Sequence, residues 1–429
     1  MQNVTTLPDV PIDSGENLLT AADGTPLRVA LARATRRAKW RAFALVLPLL
    51  LFVVITFAIP IAQMLVRSFH NEAFSANMTN LGEYFSQNEV TGVPGEEAYA
   101  ALVADLKATR ENKTIGTVST RINYELPGAR SQFTSAGRKA QKDQIEPPYK
   151  ESLIKLDKDW GDPHLWNVMQ RASNPKSASF YLAALDLKYN ENGDIVRVEE
   201  KKRVYVPLFV RTLWISALVS FFCLVLAFPV AHLLATLPLR YSNLLMIFVL
   251  LPFWTSLLVR TTAWIALLQS QGVLNDVLVG ASVLSDENRV QLMYNQAGTL
   301  IAMTHILLPF MILPLYSVMK TIPPTYVRAA RSLGASSWTA FWKVYFPQTV
   351  PGIGAGVLLV FILAVGYYIT PALVGGSSGQ LISNLIAFHM LKSLNWSLAA
   401  ALGGILLFII IILYWLYDKL IGIDNMKLG

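Results

Sequence analysis

The chain has 429 residues, 53% of them hydrophobic and only 15% charged, with a mean hydropathy of +0.43 and a net charge of +8. A soluble domain carries roughly 25% charged residues, so this composition excludes an ordinary soluble enzyme or binding domain. Residues 67–205 hold 19 of the 36 Lys/Arg and 19 of the 28 Asp/Glu, which makes this a membrane protein with one polar insertion and an excess of positive charge outside it. The positive-inside bias of membrane loops accounts for that excess more simply than a nucleic-acid partner does.

A bilayer core takes about 20 apolar residues as helix. Six stretches qualify: about 42–66, 208–237, 244–268, 299–319, 350–374 and 398–416. The first follows Arg33, Arg36, Arg37, Lys39 and Arg41 with no acidic residue among them, so residues 1–41 are expected as a cytoplasmic tail. Its apolar run is too long for a signal-peptide core and reads as a retained span. Alternation then places 67–205 outside and 320–349 inside, with the C-terminus cytoplasmic. Charge agrees. The inner loops carry Arg240, Lys320, Arg328, Arg331 and Lys343 without an acid, whereas the outer loop 269–298 carries Asp276, Asp286 and Glu287 against Arg289.

The insertion is too long for a structureless loop. Tyr99, Leu102, Val103 and Leu106 repeat at helical spacing and predict a helix over about 96–110. Asp162-Pro163 caps a short helix through about Ala172. Leu185, Leu187 and Tyr189 alternate, Asn192-Gly193 turns the chain and "IVRVE" follows, which is a hairpin pattern. A small α+β subdomain is expected, with the weakly patterned stretch 112–150 as a mobile segment. It is either a docking surface for an extracellular partner or an ornament on the bundle.

Prolines 48, 60, 229, 252, 309, 314 and 371 fall in the spans, and each is expected to kink or break its helix. The single cysteine, Cys223, lies in an apolar run and reads as a packed small hydrophobe; it permits no intrachain disulfide. "PGIGAG" puts Gly352 and Gly356 four apart, a spacing for close helix approach within the chain.

No P-loop, H-E-x-x-H, paired-cysteine or G-x-S-x-G pattern occurs, so neither ATP binding, a metal centre nor bond chemistry is expected. The spans hold no Asp or Glu, which argues against a carboxylate proton relay and places the energy source in another subunit. His232 is expected near the inner interface and His305 as a packed neutral imidazole. Arg211 can snorkel to the headgroups. Arg260 lies roughly 12 Å deep if the third span is a straight helix. It stands among Trp254, Thr255, Ser256, Thr261, Thr262 and Trp264, and is either paired structurally or placed on a solute pathway.

Between the fourth and fifth spans, Pro323-Pro324 ends one helix and starts another. Tyr326, Ala329, Ala330 and Leu333 share one face, and Gly334 suits a C-terminal cap. Ser336 or Ser337 caps a second helix carrying Trp338, Phe341, Trp342 and Tyr345, which Pro347 is expected to end. Two short amphipathic helices joined at a glycine either lie on the membrane or enter a groove on a cytoplasmic partner.

Here the sequence resembles the membrane subunits of binding-protein-dependent ABC importers. Their pattern E-A-A, three residues, G, nine residues, I-x-L-P stands here as Arg328-Ala329-Ala330, Gly334 and Val344-Tyr345-Phe346-Pro347. The resemblance implies an all-α membrane protein, a six-helix type I permease bundle with a small α+β periplasmic insertion, in the bacterial inner membrane. It implies docking of Arg328, Ala329, Ala330, Ser332, Leu333, Gly334, Ala335 and Trp338 onto an ATPase dimer that binds the ATP, with no cofactor in this chain. Ala329, Ala330 and Gly334 would form the docking core, and Arg328 stands where the family has glutamate. A second, homologous permease and a periplasmic solute-binding protein complete the implied assembly. "LPFWTSLLVRTTAWIALLQSQGVLN", "LLPFMILPLYSVMK" and "ITPALVGG" look like the polyamine (spermidine/putrescine) subgroup. The likeness covers the first span and 206–429, not the insertion. Many relatives carry an acid near the position of Tyr367-Tyr368. The candidate pathway residues are Trp254, Thr255, Arg260, Trp264, Tyr367, Tyr368, Thr370 and Pro371. Polyamines, opine-like amines and small organic anions all remain as solutes. The rival classes are an ATP-independent transporter and a membrane-anchored periplasmic binding module.

Overall fold

The computed structural model describes residues 27–421 apart from Thr91, Glu191 and Asn192. Most of the expected 1–41 tail, the Asn192 half of the hairpin turn and the chain's C-terminal end therefore lie outside the described residues. The chain divides into two compact units, 1–63 and 64–429. The described residues of the first are helical: α1 (Leu27–Val53) passes through a π-turn, Val54–Ala58, into α2 (Ile59–Phe69), which continues into the second unit. The apolar window of this helix has no buried residue, as befits a helix whose surroundings are lipid.

Residues 70–204 form a lobe of seven helices in the described chain: α3 (Thr79–Gln87), α4 (Glu96–Glu111), α5 (Ile115–Asn123), α6 (Ala129–Gln141), α7 (Tyr149–Leu156), α8 (Pro163–Ser173) and α9 (Ser179–Ala184). Tyr99, Leu102 and Leu106 of α4 are fully buried, as their spacing predicts. The Tyr99 hydroxyl and the Trp166 indole both donate to the Trp160 carbonyl, at 2.6 and 2.9 Å, and burial pushes the Tyr99 phenol up to about 12. Asp162 caps α8 through His164 N at 2.8 Å. The stretch 112–150 is not the mobile segment expected of it. It supplies α5 and α6, whose Ile115, Val118, Ile122, Phe133 and Ala136 enter the same core. Its apolar positions are sparse and many partners are Ala or Gly, so periodicity is faint. Gly137 packs flat against Ile115. The hairpin exists as two three-residue strands, β1 (Leu187–Tyr189) and β2 (Ile195–Arg197), antiparallel with Lys188 opposite Val196. The lobe's core is otherwise helical.

The lobe is laced at its neck. Ser177 N donates to Phe69 O and Asn71 N to Pro175 O, both at 2.8 Å, and Tyr181 stacks on Phe69 at 4.3 Å. Phe180 of α9 joins Phe209, Val365, Ile382, Leu398 and Leu402 in one bundle cluster. The long helix α10 (Tyr205–Thr236) starts on a cap drawn from the lobe. Asp186, 4% exposed, accepts from Val204 N and Tyr205 N at 3.1 Å each and from Val206 N at 2.7 Å. Removing a buried carboxylate that satisfies three part-buried amides costs about 1–3 kcal/mol. Asp186→Ala is therefore expected to lower the melting temperature of the purified protein, and Asp186→Asn, which keeps one acceptor oxygen, to lower it less. Equal melting of all three proteins would refute the cap.

After α10 come α11 (Leu239–Leu250), α12 (Leu257–Leu268), α13 (Val273–Gly280), α14 (Gln296–Thr321), α15 (Pro324–Ser332), α16 (Ser337–Ala340), α17 (Phe346–Gly366), α18 (Ile369–Val374), α19 (Gly376–Gly379), α20 (Ile382–Leu391) and α21 (Trp396–Ile421). Five helices among the described residues are long and apolar enough to cross a membrane. A sixth candidate is the pair Leu239–Trp254 and Leu257–Gly280, bent by 96°. The third span is therefore not the continuous helix expected over 244–268. Pro252 sits in a 3₁₀ turn, Thr255 is extended, and Ser256 caps the new helix by accepting from Val259 N at 3.2 Å. Hydropathy runs unbroken across this joint, which hides it.

The centre is the trio α10, α14 and α17, packed through Val219, Cys223, Ala227, Met303, Leu307, Met311, Leu315, Val360 and Ala364. Cys223 is fully buried, its thiol 3.3 Å from Thr304 O. The prolines break less than expected: α10 stays one helix through Pro229, and α14 through Pro309 and Pro314. Gly352 and Gly356 lie on the α14–α17 seam. A Cβ at Gly352 would stand 3.0 Å from Val318 Cβ and 3.3 Å from Pro314 O; one at Gly356 would stand 2.6 Å from Met311 Sδ. The close approach read from "PGIGAG" is thus made within the chain.

Candidate functional site

Two regions gather the singled-out residues. The first is the connection from α14 to α17. α14 ends at Thr321 and α15 begins at Pro324. Gly334, at φ +92°, closes α15: Leu333 N, Gly334 N and Ala335 N bond to Ala329 O, Arg331 O and Ala330 O at 3.0 Å each. This is the left-handed glycine cap that the sequence suggests. Ser336 caps the next helix through Thr339 N at 3.2 Å. That helix is not a separate short one ended by Pro347. α16 runs through a π-turn, Phe341–Tyr345, directly into α17, giving one helix over Ser337–Gly366. The widened turn absorbs the proline's missing donor, and Gln348 Nε2 takes up the Val344 carbonyl at 2.6 Å.

The faces of α15 also differ from the simple reading. Val327 packs toward the bundle and Ala330 is half-buried, whereas Arg328, Ala329, Arg331 and Ser332 are exposed. Three large apolar side chains stand out in the open: Leu333 89% exposed, Trp338 72% and Tyr326 52%. Behind α15 lies a cavity of about 660 Å³ bounded by His232, Lys320, Pro323, Arg328 and Tyr345. His232 is fixed beside it by Tyr345 OH at 3.0 Å. The helix leans on the 341–345 turn and is held at its ends by Pro323-Pro324 and Gly334.

The second region lies where α12, α14 and α18 meet. Thr261 and Thr370 share a hydrogen bond at 3.2 Å, and the Trp264 indole donates to His305 Nδ1 at 3.1 Å. Arg260 stands one turn before Trp264 on α12. Arg260, Trp264, Tyr367 and Thr370 are thus brought together, with Tyr368 exposed and Pro371 buried beside them. Trp254 and Thr255 stand at the bend between α11 and α12, apart from this cluster; Thr255 Oγ1 bonds to Pro252 O at 2.9 Å. Because of that bend, the depth of Arg260 does not follow from counting residues along a straight span. His305 is exposed on α14 rather than packed. Arg211 reaches Ser377 O at 3.1 Å instead of leaving the bundle.

The fifth span stops at Gly366, short of the expected 374. Tyr367 is extended, and the freed carbonyls are claimed by α20: Ser383 Oγ donates to Tyr367 O at 2.6 Å and Asn384 Nδ2 to Tyr368 O at 2.7 Å. Backbone that leaves helical form among apolar helices must be satisfied by such partners. Glycines then let the chain fold back tightly: at Gly376, φ +54°, a Cβ would collide with Tyr294 O. His305 carried too weak a signal to be chosen from the sequence. The one clue is its place in a span, and only the fold shows that it meets Trp264.

The spermidine/putrescine transport system permease protein PotB of Haemophilus influenzae is 32% identical over 234 residues, covering 53% of this chain and 81% of that protein. PotB of Escherichia coli K12 is 33% identical over 222 residues, covering 51% of this chain and 80% of that one. A bacterial alginate ABC transporter, solved in complex with an alginate pentasaccharide-bound periplasmic protein, aligns over 52% of this chain and 80% of its own. The TM-score is 0.43 and the identity 17%. Residues 202–421 match the family described as the binding-protein-dependent transport system inner membrane component, while most of the lobe lies outside that match. On that match, the chain belongs to this family of multi-pass inner-membrane permease subunits of ABC importers.

Proposed function

We propose that this permease carries polyamines or related small amines, including opine-like ones, inward across the inner membrane. It forms half of the passage and pairs with a second, homologous permease. Its termini and the 321–337 connection face the cytoplasm, and its lobe faces the periplasm, where a solute-binding protein delivers the solute. ATP is bound and hydrolysed by a dimer of partner ATPases; this chain holds no cofactor and performs no bond chemistry. The names of the PotB relatives support the solute class.

The observation that carries the coupling role is the exposed apolar trio Tyr326, Leu333 and Trp338 around a glycine joint, flanked by Arg328 and Arg331. An apolar surface on a protruding helix fits a groove on another protein. A conformational change in the ATPases would press on α15, and the continuous α16–α17 helix would carry that displacement into the bundle. Affinity purification of the tagged permease from its own membranes should bring down an ATP-binding cassette subunit. Ala330→Asp, which sets a charge on the half-buried side of α15, is expected to cut ATP-driven uptake at least tenfold. Uptake in proteoliposomes without any ATPase would refute the assignment.

A further inference from the structure

The cavity of about 660 Å³ behind α15 is bounded by the end of α10, the end of α14, α15 itself and the 337–345 turn. Its fixed charges have one sign. Lys320 stands on the last turn of α14 and Arg328 on α15. None of the ion pairs among the described residues includes either one. No Asp or Glu occurs in residues 201–275 or 288–417. Every wall of the cavity comes from those two stretches, so no carboxylate in it balances the two cations.

Their donors are also largely unspent. Lys320 Nζ donates to Ala235 O at 3.2 Å, which uses one of its three N–H groups. The Arg328 guanidinium, exposed on α15, is engaged by no described residue. The rest of the wall is largely apolar and includes Met319, Ile322, Val327 and Phe341. Ala235 and Thr236 end one membrane-crossing helix, and Met319 and Lys320 stand at the end of another. The cavity therefore sits at the depth where a bilayer passes from acyl chain to headgroup. The knobs Tyr326, Leu333 and Trp338 are not among its walls, so an occupant does not displace the surface offered to the ATPase.

An ammonium solute entering here would meet two like charges and no acid. An amphiphile with a phosphate matches both halves: Arg pairs its N–H groups with phosphate oxygens, Lys acts as a point charge, and the apolar wall takes the stem. We propose that this cavity binds the headgroup of an anionic phospholipid of the cytoplasmic leaflet, its phosphate held between Lys320 and Arg328 and its glycerol and first acyl carbons against Met319, Ile322, Val327 and Phe341. Basic pockets between membrane helices on the cytoplasmic side take such headgroups. The bound lipid ties α15 to the ends of α10 and α14. The choice of leaflet rests on the cytoplasmic placement of the 321–337 connection proposed above.

The test uses the permease in phosphatidylcholine vesicles, alone and as the complete transporter. The vesicles are doped with a photoactivatable phosphatidylglycerol, or with a phosphatidylcholine bearing the same label. In both preparations the phosphatidylglycerol probe should label residues 319–341 at least fivefold more than the phosphatidylcholine probe. Lys320→Gln with Arg328→Gln should cut that labelling at least fivefold. Lys320→Arg with Arg328→Lys, which keeps both charges, should hold it within twofold of the parent. Equal labelling by the two probes, unchanged labelling in the glutamine pair, or a charge-keeping pair that labels no better than the glutamine pair overturns the proposal. An excess of inorganic phosphate should leave the labelling intact; displacement would assign the site to a soluble phosphate instead of a lipid. Labelling present in the permease alone and lost once the ATPases bind would give both cations to acidic groups on the ATPase, and overturns the proposal as well. Labelling that meets these criteria in a permease that recruits no ATPase would sink the importer reading and leave the lipid site standing.

Discussion

Leu333→Asp is expected to abolish ATP-driven uptake while leaving the permease folded. Leu333 is 89% exposed at the end of α15, so its replacement removes no packing inside the chain. It sits beside the Gly334 joint with Trp338 and Tyr326 exposed nearby, where an aliphatic knob can seat in a partner's pocket. Truncation of a central knob commonly costs about 2 kcal/mol or more of binding, roughly a thirtyfold loss of affinity, and a buried carboxylate adds a desolvation penalty. The ATPase should fail to co-purify with the variant at concentrations that suffice for the parent. Melting temperatures of the two isolated permeases should agree within experimental scatter. If the variant retains its ATPase and its uptake, α15 does not dock by this surface. If its melting temperature falls sharply, Leu333 is a packing residue in the membrane-embedded assembly instead.

Gly352→Leu is expected to act in the opposite way, through the bundle and not through the partner. A Cβ there meets Val318 Cβ at 3.0 Å, Val318 Cγ2 at 3.2 Å and Pro314 O at 3.3 Å. Val318 is β-branched with a stiff χ1, and the carbonyl belongs to backbone, so neither yields cheaply. Forcing a leucine into this seam pushes α14 and α17 apart at a cost of about 1–3 kcal/mol or more, a drop of roughly 3–10 °C in melting temperature for a bundle of this size. Gly403→Ala serves as the control, because a Cβ there meets nothing within 4 Å. A leucine variant that melts with the control would show that the seam is looser than the backbone geometry implies.

Much of this was legible because it depends on local chemistry. The α4 helix follows from the spacing of Tyr99, Leu102 and Leu106, the start of α8 from Asp162-Pro163, and the end of α15 from Gly334. In each case the deciding interaction lies within a few residues. The same holds for Ser336 as a cap. Pro347 misled, because a proline is a breaker only where the helix cannot widen around it, and a π-turn is set by neighbours. The broken third span was half legible: Pro252, Thr255 and Ser256 are a stop and a start, but an unbroken apolar run outweighed them. The mobile segment expected over 112–150 was an error of contrast. Helices that bury alanine and glycine give little periodic signal yet pack closely.

The sequence by itself determined that the chain lies in a membrane, where its polar lobe falls, that no carboxylate occupies the predicted spans, and where a glycine-jointed connection stands between two apolar runs. These are properties of composition and of short-range periodicity, and they survive any arrangement of the helices. The tertiary structure alone decided which residues meet. Asp186 caps a helix that begins 19 residues later, Ser383 and Asn384 hold the broken end of α17, and Trp264 finds His305 some forty residues away. It also decided which polar groups are satisfied, and hence that the Arg260 Nε is buried without a partner among the described residues. Hydrogen-bond satisfaction is a long-range property: a donor's partner is fixed by the packing of whole helices, and no spacing along the chain encodes it.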